Sequence, residues 1–269
     1  MCPHCRAFIT SKDRVCPYCD EAVGPRAAEL RDASSIIGGF IPTARFNTMI
    51  ILLINAGLFL ATMVFGNNHG AGMGWDINTQ VLLIFGAKVG LGDLIRSGQW
   101  WRLVTAGFLH GGVLHILMNS WALFDLGAQV EQLYGASRMW VIFFIATVAG
   151  FLASSWWSAV PSVGASAGLC GLIGAMIALG VRHRTPMGDA IRGMYIRWAV
   201  YILLMGLLPL RIDNAAHLGG LAGGFAIAYI AELPGRQGSA TETLWRVASW
   251  CCVIITVVSF LKWWLWFSH

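Results

Sequence analysis

Residues 161–175 read PSVGASAGLCGLIGA. Within them Ser166 stands among glycines and alanines, and a long apolar run follows at once. Either this serine packs at the head of a membrane helix, or it is the reactive group of the protein. A lone serine in a transmembrane helix ordinarily packs or bonds back to its own helix. The choice therefore rests on what the rest of the chain brings to the same depth.

The chain has 269 residues, is 57% hydrophobic and 12% charged, and has a mean hydropathy of +0.66. Soluble domains carry about 25% charged residues, so this composition excludes the one or two soluble domains that length alone suggests. Apolar runs near 47–66, 113–133, 138–158, 167–181, 196–210, 215–231 and 247–266 each approach the length of a bilayer crossing and predict seven transmembrane helices. The second run is the most polar, with His115, Asn119, Asp125 and Glu131. It is kept as a span because polar side chains at membrane depth mark function. No signal peptide is expected, since cysteines and charges come first and the first apolar run is too long for an h-region. With the N-terminus in the cytoplasm, thirteen of the 18 Lys and Arg residues fall on that side. The outer segments keep Lys88, Arg96, Arg102 and Arg211. That asymmetry predicts a cytoplasmic N-terminus and makes the +5 charge a topology signal, with no nucleic-acid partner.

The head carries Cys2-x2-Cys5 and Cys16-x2-Cys19. Paired CxxC turns offer four thiolates in a tetrahedral set suited to Zn²⁺. With almost no core of its own, such a segment would draw its folding energy from the metal. Disulfides fit a cytoplasmic end poorly, and redox thiols would not need a second pair. The expected organisation is a zinc-ribbon-like head at 1–24, a linker at 25–45, a six-helix core at 46–233 and a further helix at 245–267. Trp263, Trp264 and Trp266 at the end of that last helix suit an interfacial belt; a helix lying partly in the interface is the alternative. A cytoplasmic partner of the head, metal sensing or plain stabilisation are its possible roles.

Three polar clusters sit in the apolar runs. His110, His115 and Asn119 follow HxxxxHxxxN spacing, and the last two share a helix face. Ser166 opens the fourth run, and His217 opens the sixth. Ser166, Cys170, Gly174 and Ala178 form a small-residue stripe, as do His217, Gly220, Gly224 and Ala228. Two such stripes allow close helix packing and bring Ser166 within hydrogen-bond reach of His217. A serine beside a base is an activated nucleophile. Nearby His and Asn donors, with the Ser166 N–H at a helix N-terminus, suit a developing oxyanion.

The motifs GAK (86–88), WWRLVTAGFLHGGVLHILMN (100–119), GAQVEQLYGASR (127–138), GASAG (164–168) and AHLGG (216–220) occur in this order. In that ordered set the chain resembles the rhomboid family of intramembrane serine proteases, over roughly residues 46–233. The GxSxG letters alone also occur in soluble hydrolases, but those need a strand before the serine. The resemblance implies an all-α polytopic membrane protein with a six-helix core plus one C-terminal helix. It implies Ser166 as nucleophile, His217 as general base, and His115 and Asn119 at the oxyanion, with no catalytic cofactor. His110, Trp101, Arg102 and Glu131 would be structural, the last two helping to hold the first outer loop. Gly164, Gly168, Gly220 and Gly224 belong to the matching motifs around the site.

The sequence departs from the family's pattern at Ala167, where many members have glycine, and at Cys170, where an aromatic ring often stacks on the histidine. The Ala167 methyl is expected to crowd the oxyanion site and Cys170 to hold His217 less firmly, affecting rate rather than reaction type. The expected partners are transmembrane protein substrates and the lipid bilayer, and the expected location is a bacterial inner membrane. Two other readings compete: a catalytically inactive relative that binds membrane clients, which should lack Ser166 or His217, and a transporter, which should show an internal repeat.

Overall fold

The computed structural model describes residues 5, 8, 15–20, 45–69, 74–208, 212–231, 233–234 and 240–269. The chain divides into two units, Met1–Thr43 and Ala44–His269. In the first, the described residues form a turn at 17–19 closed by the Asp20 N–H on the Cys16 carbonyl, at 2.9 Å.

The second unit is helical. α1 (Phe46–Asn68) has no side-chain cap of its own. The Glu131 carboxylate supplies one from elsewhere in the chain, accepting the Asn47 N–H at 2.8 Å, the Thr48 N–H at 3.0 Å and the Thr48 hydroxyl at 2.8 Å. A carboxylate there satisfies orphan donors and complements the helix dipole. Glu131 thus seats α1 and does not hold the first loop, which corrects the expectation from the sequence. The reason is distance in sequence: Glu131 lies 83 residues beyond Thr48, and no local pattern pairs them.

The long segment after α1 is built from short helices: α2 (Thr79–Phe85), α3 (Leu91–Ser97) and α4 (Arg102–Thr105), with a 3-10 turn at Ala106–Phe108. Asn78 caps α2 by accepting the Gln80 N–H at 2.8 Å, and Gly86, at φ +103°, ends it in the left-handed region. Arg102 fastens this segment from within, donating to the carbonyls of Leu83 (2.8 Å) and Ala87 (2.9 Å) while its guanidinium lies over the Trp101 ring.

The second expected span is α5 (Val113–Ala122), a π-helical turn at Leu123–Gly127, and α6 (Ala128–Tyr134). The π turn lies where α1 crosses, and a Cβ on Gly127 would stand 3.0 Å from the Thr48 hydroxyl. Four further helices follow: α7 (Ala136–Trp157), α8 (Ser166–Arg182), α9 (Pro186–Met205) and α10 (Asn214–Ile230). α9 begins ten residues before the apolar run at 196. Thr185 caps it, accepting the Gly188 N–H at 3.1 Å, and Pro186 takes the first position. Hydropathy missed this turn because Asp189, Arg192 and Arg197 dilute it. The last helix is α11 (Ala240–Phe267).

Helices thus occupy all seven apolar runs, and α1, α7 and α11 are long and apolar enough to cross a membrane by length and composition. The protein is an all-α polytopic membrane protein. α8 is its axis: Ala167–Ala175 are all buried against α7, α9 and α10. Glycine makes the close approach possible. A Cβ on Gly174 would stand 2.8 Å from the Phe225 N, and one on Gly220 would stand 2.9 Å from the Ala167 carbonyl carbon.

Candidate active site

The α7–α8 connection enters the site through Gly164, whose φ of +135° lies in the range that disfavours any side chain. Its N–H donates to the Ala106 carbonyl at 2.9 Å. A Cβ there would also stand 2.7 Å from His115 Nε2 and 3.5 Å from Ser166 Oγ. Glycine is therefore required twice, by backbone conformation and by the ring beside it. Ser166 follows as the first residue of α8, partly exposed, at the helix end where N–H groups have no intrahelical acceptor.

His217 lies in the first turn of α10, buried, and its Nε2 is 2.9 Å from Ser166 Oγ. Among the described residues its Nδ1 has no hydrogen-bond partner. Asp213, one turn earlier, turns its carboxylate elsewhere and caps α10 by accepting the Ala216 N–H at 3.0 Å. Ser166 and His217 thus form a hydrogen-bonded pair, with no carboxylate bonded to the imidazole among the described residues.

His115 stands across from the serine on α5. Its Nδ1 accepts the Gly111 N–H at 3.3 Å, so a neutral ring carries its proton on Nε2, the atom beside Gly164. Asn119 follows one turn along α5, buried, while Leu117 and Met118 just before it are exposed. His110 is fully buried behind His115, ring edge to face at a centroid distance of 5.2 Å. The structure brings Ser166, His217, His115 and Gly164 together. Trp101 and Arg102 lie in the first loop. Glu131 caps α1, away from this group.

The helix faces differ from the expected stripes by a small rotation. Ala167, Gly171 and Gly174 of α8, rather than Ser166 and Cys170, meet Gly220, Leu221 and Gly224 of α10. The rotation frees Ser166 to face His217 instead of being spent on packing. It also redirects the Ala167 methyl. Ala167 packs with Ala106, Phe151 and Ala216, and a Cβ on Gly150 of α7 would stand 2.8 Å from its own Cβ. That methyl packs against α7, Ala106 and Ala216, which speaks against the expected crowding. Gly168 turns to α7 as well, where a Cβ would stand 2.8 Å from the Thr147 hydroxyl. Among the described residues no aromatic ring stacks on His217, and Cys170 is buried.

In the head, the sulfurs of Cys5, Cys16 and Cys19 all lie within 4.8 Å of one another, Cys5 and Cys16 at 3.6 Å, without a disulfide. Thiolates on one tetrahedral Zn²⁺ at about 2.3 Å stand about 3.8 Å apart, so the spacing fits. Cys2, the fourth expected ligand, lies outside the described residues.

Residue pairing over long range is what sequence reasoning missed: Glu131 with α1, and Arg138 of α7 with Glu242 of α11, doubly bonded at 2.8 Å each. Only the presence of charges in apolar surroundings signalled that such partners must exist.

The profile of the Rhomboid domain matches residues 97–232. The chain is similar to the rhomboid protease GluP of Bacillus subtilis, 36% identical over 188 residues, 70% of this chain and 36% of that protein. It is also similar to RHOMBOID-like protein 5 of Arabidopsis thaliana, 33% identical over 150 residues (54% and 48%), and to RHOMBOID-like protein 1 of the same plant, 35% over 148 residues (54% and 38%). The matched part spans less than half the length of each of these relatives.

Proposed function

The chain belongs to the rhomboid family, and we propose that it is a serine endopeptidase that cleaves membrane proteins within or beside a transmembrane segment. The observation that carries this reading is the 2.9 Å contact between Ser166 Oγ and His217 Nε2 at the heads of two closely packed helices. Ser166 attacks the scissile carbonyl while His217 takes its proton. The tetrahedral oxyanion is met by the His115 Nε2–H, the Ser166 N–H and the Asn119 amide. Collapse gives an acyl-enzyme, with His217 returning the proton to the leaving amine, and water then releases the acyl group. A helical substrate has its carbonyls already hydrogen-bonded, so it must unwind locally to react. Substrates with glycine, proline or polar residues near the membrane boundary meet that need.

The charge asymmetry supports a cytoplasmic N-terminus, with Ser166 and His217 toward the opposite face. We also read the head as a Zn²⁺ site formed by Cys2, Cys5, Cys16 and Cys19; the converging sulfurs of the last three support it. The metal would supply fold to the head and no step of the hydrolysis.

The test is labelling with a fluorescent fluorophosphonate on purified wild type, Ser166→Ala and His217→Ala. Labelling of the wild type alone is expected. A folded wild type that stays unlabelled would overturn the protease reading in favour of a client-binding protein.

A further inference from the structure

Two charged side chains near the dyad take no part in the acyl transfer just described. Lys88, in the first loop between α2 and α3, is fully buried. Its ammonium donates to the carbonyls of Ser158 at 2.6 Å and Val160 at 3.0 Å. Its backbone pairs in antiparallel fashion with Ser162, N–H to carbonyl at 3.0 Å and the reverse at 3.4 Å. These three residues lie in the segment that leads through Gly164 to Ser166. On its other side stands Asp213. Besides capping α10, its carboxylate accepts the Ser154 hydroxyl of α7, and the Ser154 carbonyl accepts the Ser158 N–H at 2.9 Å.

Asp213 is therefore joined through Ser154 and Ser158 to the segment that Lys88 holds, and Lys88 itself pairs by backbone with Ser162. One arm of the assembly reaches the nucleophile four residues on. The other reaches His217 one turn on, where the His217 N–H donates to the Asp213 carbonyl at 3.1 Å. Burying an ammonium is costly unless every hydrogen-bonding position is used, so packing alone gives no reason for Lys88 to be here. Burial lowers the Lys88 pKa, opposed by the Asp213 charge. Burial pushes Asp213 up, but bonds from Ser154, the Ala216 N–H and Ser162, with the Lys88 charge, hold it below the usual carboxylate range.

We propose that Lys88 and Asp213 are positioning residues for the hydrolysis, a charged clamp that locks the pre-serine segment to the head of α10 and so sets the Ser166–His217 distance. The proposal rests on the dyad reading above. A shift of about 1 Å between reacting groups costs about 100-fold in rate.

The experiment measures fluorophosphonate inactivation of wild type, Asp213→Asn, Lys88→Gln and the double variant in detergent, separating the limiting rate from the apparent affinity. Asp213→Asn keeps a cap acceptor for the Ala216 N–H and loses the charge. Each single variant is expected to lose about tenfold or more in the limiting rate, with apparent affinity held within about twofold. The double variant should lose no more than the worse single one, because both break one clamp. Thermal unfolding followed by tryptophan fluorescence confirms that each variant is folded, and Ser154→Ala serves as a milder break if Lys88→Gln does not fold. Folded Asp213→Asn and Ser154→Ala reacting at the wild-type rate would overturn the clamp while leaving the dyad standing. Losses that multiply in the double variant would also overturn it. A wild type that does not react would overturn both readings together.

Discussion

Gly164 is the residue on which the site's geometry turns. Its positive φ and the His115 ring beside it leave no space for a methyl group. Gly164→Ala should carry about 1–3 kcal/mol of strain and displace either His115 or the Ser166 N–H. Fluorophosphonate labelling is expected to fall well below wild type while the helical circular dichroism stays unchanged. His115→Ala and Asn119→Ala should each slow turnover by roughly 10²–10³ if each is an oxyanion donor; equal kinetics in all three proteins would remove that role. Asp213 carries a pH consequence. Its folded pKa is depressed, so its stabilising contribution is complete above the ordinary carboxylate range and is lost as pH falls through the depressed value. Acid titration of the thermal midpoint should show a steeper fall in wild type than in Asp213→Asn.

At the scale of elements, α11 is fastened at both ends although most of its length is exposed. Near its start, Glu242 and Arg138 form a two-bonded ion pair, the Arg138 side chain 3% exposed, with the Trp245 ring beside it. Near its end, the Trp263 indole donates to the Ile84 carbonyl of α2 at 2.8 Å, and the Trp266 ring lies over the Arg102 guanidinium. Removing one member of a buried ion pair costs about 3–5 kcal/mol, so Arg138→Met should lower the thermal midpoint clearly more than Trp263→Phe, which loses a single bond. An equal midpoint for Arg138→Met and wild type would show that the pair does not hold α11. The helix contacts explain what could be read from sequence and what could not. The seven apolar runs follow from hydropathy, because burial in lipid is additive along a segment. The short helices of the first loop, the π turn at Leu123–Gly127 and the early start of α9 depend on caps and crossings that no hydropathy window contains. Ser166 and His217 were legible because small residues at fixed spacing announce close packing. The packed face itself was not, since one residue of rotation leaves the composition of the stripe nearly the same.

At the scale of the whole molecule, the head and the helical bundle are separate units, and their chemistry is separable too. One equivalent of zinc per chain is expected by elemental analysis, lost in Cys16→Ser. Chelation should expose the head cysteines to alkylation and leave fluorophosphonate labelling of Ser166 intact. Loss of labelling on chelation would instead tie the metal to the bundle. The role of the head was the least legible part of the chain, because paired CxxC turns announce candidate ligands and nothing about a partner.

The bond from Trp263 to Ile84 joins residues 179 positions apart. The ribosome makes the first loop, the serine and the histidine long before it makes Trp263. A nascent chain can therefore bring Ser166 to His217 while the first loop still lacks this fastening. Synthesis itself sets the order, and this bond can close only when the final helix has been made.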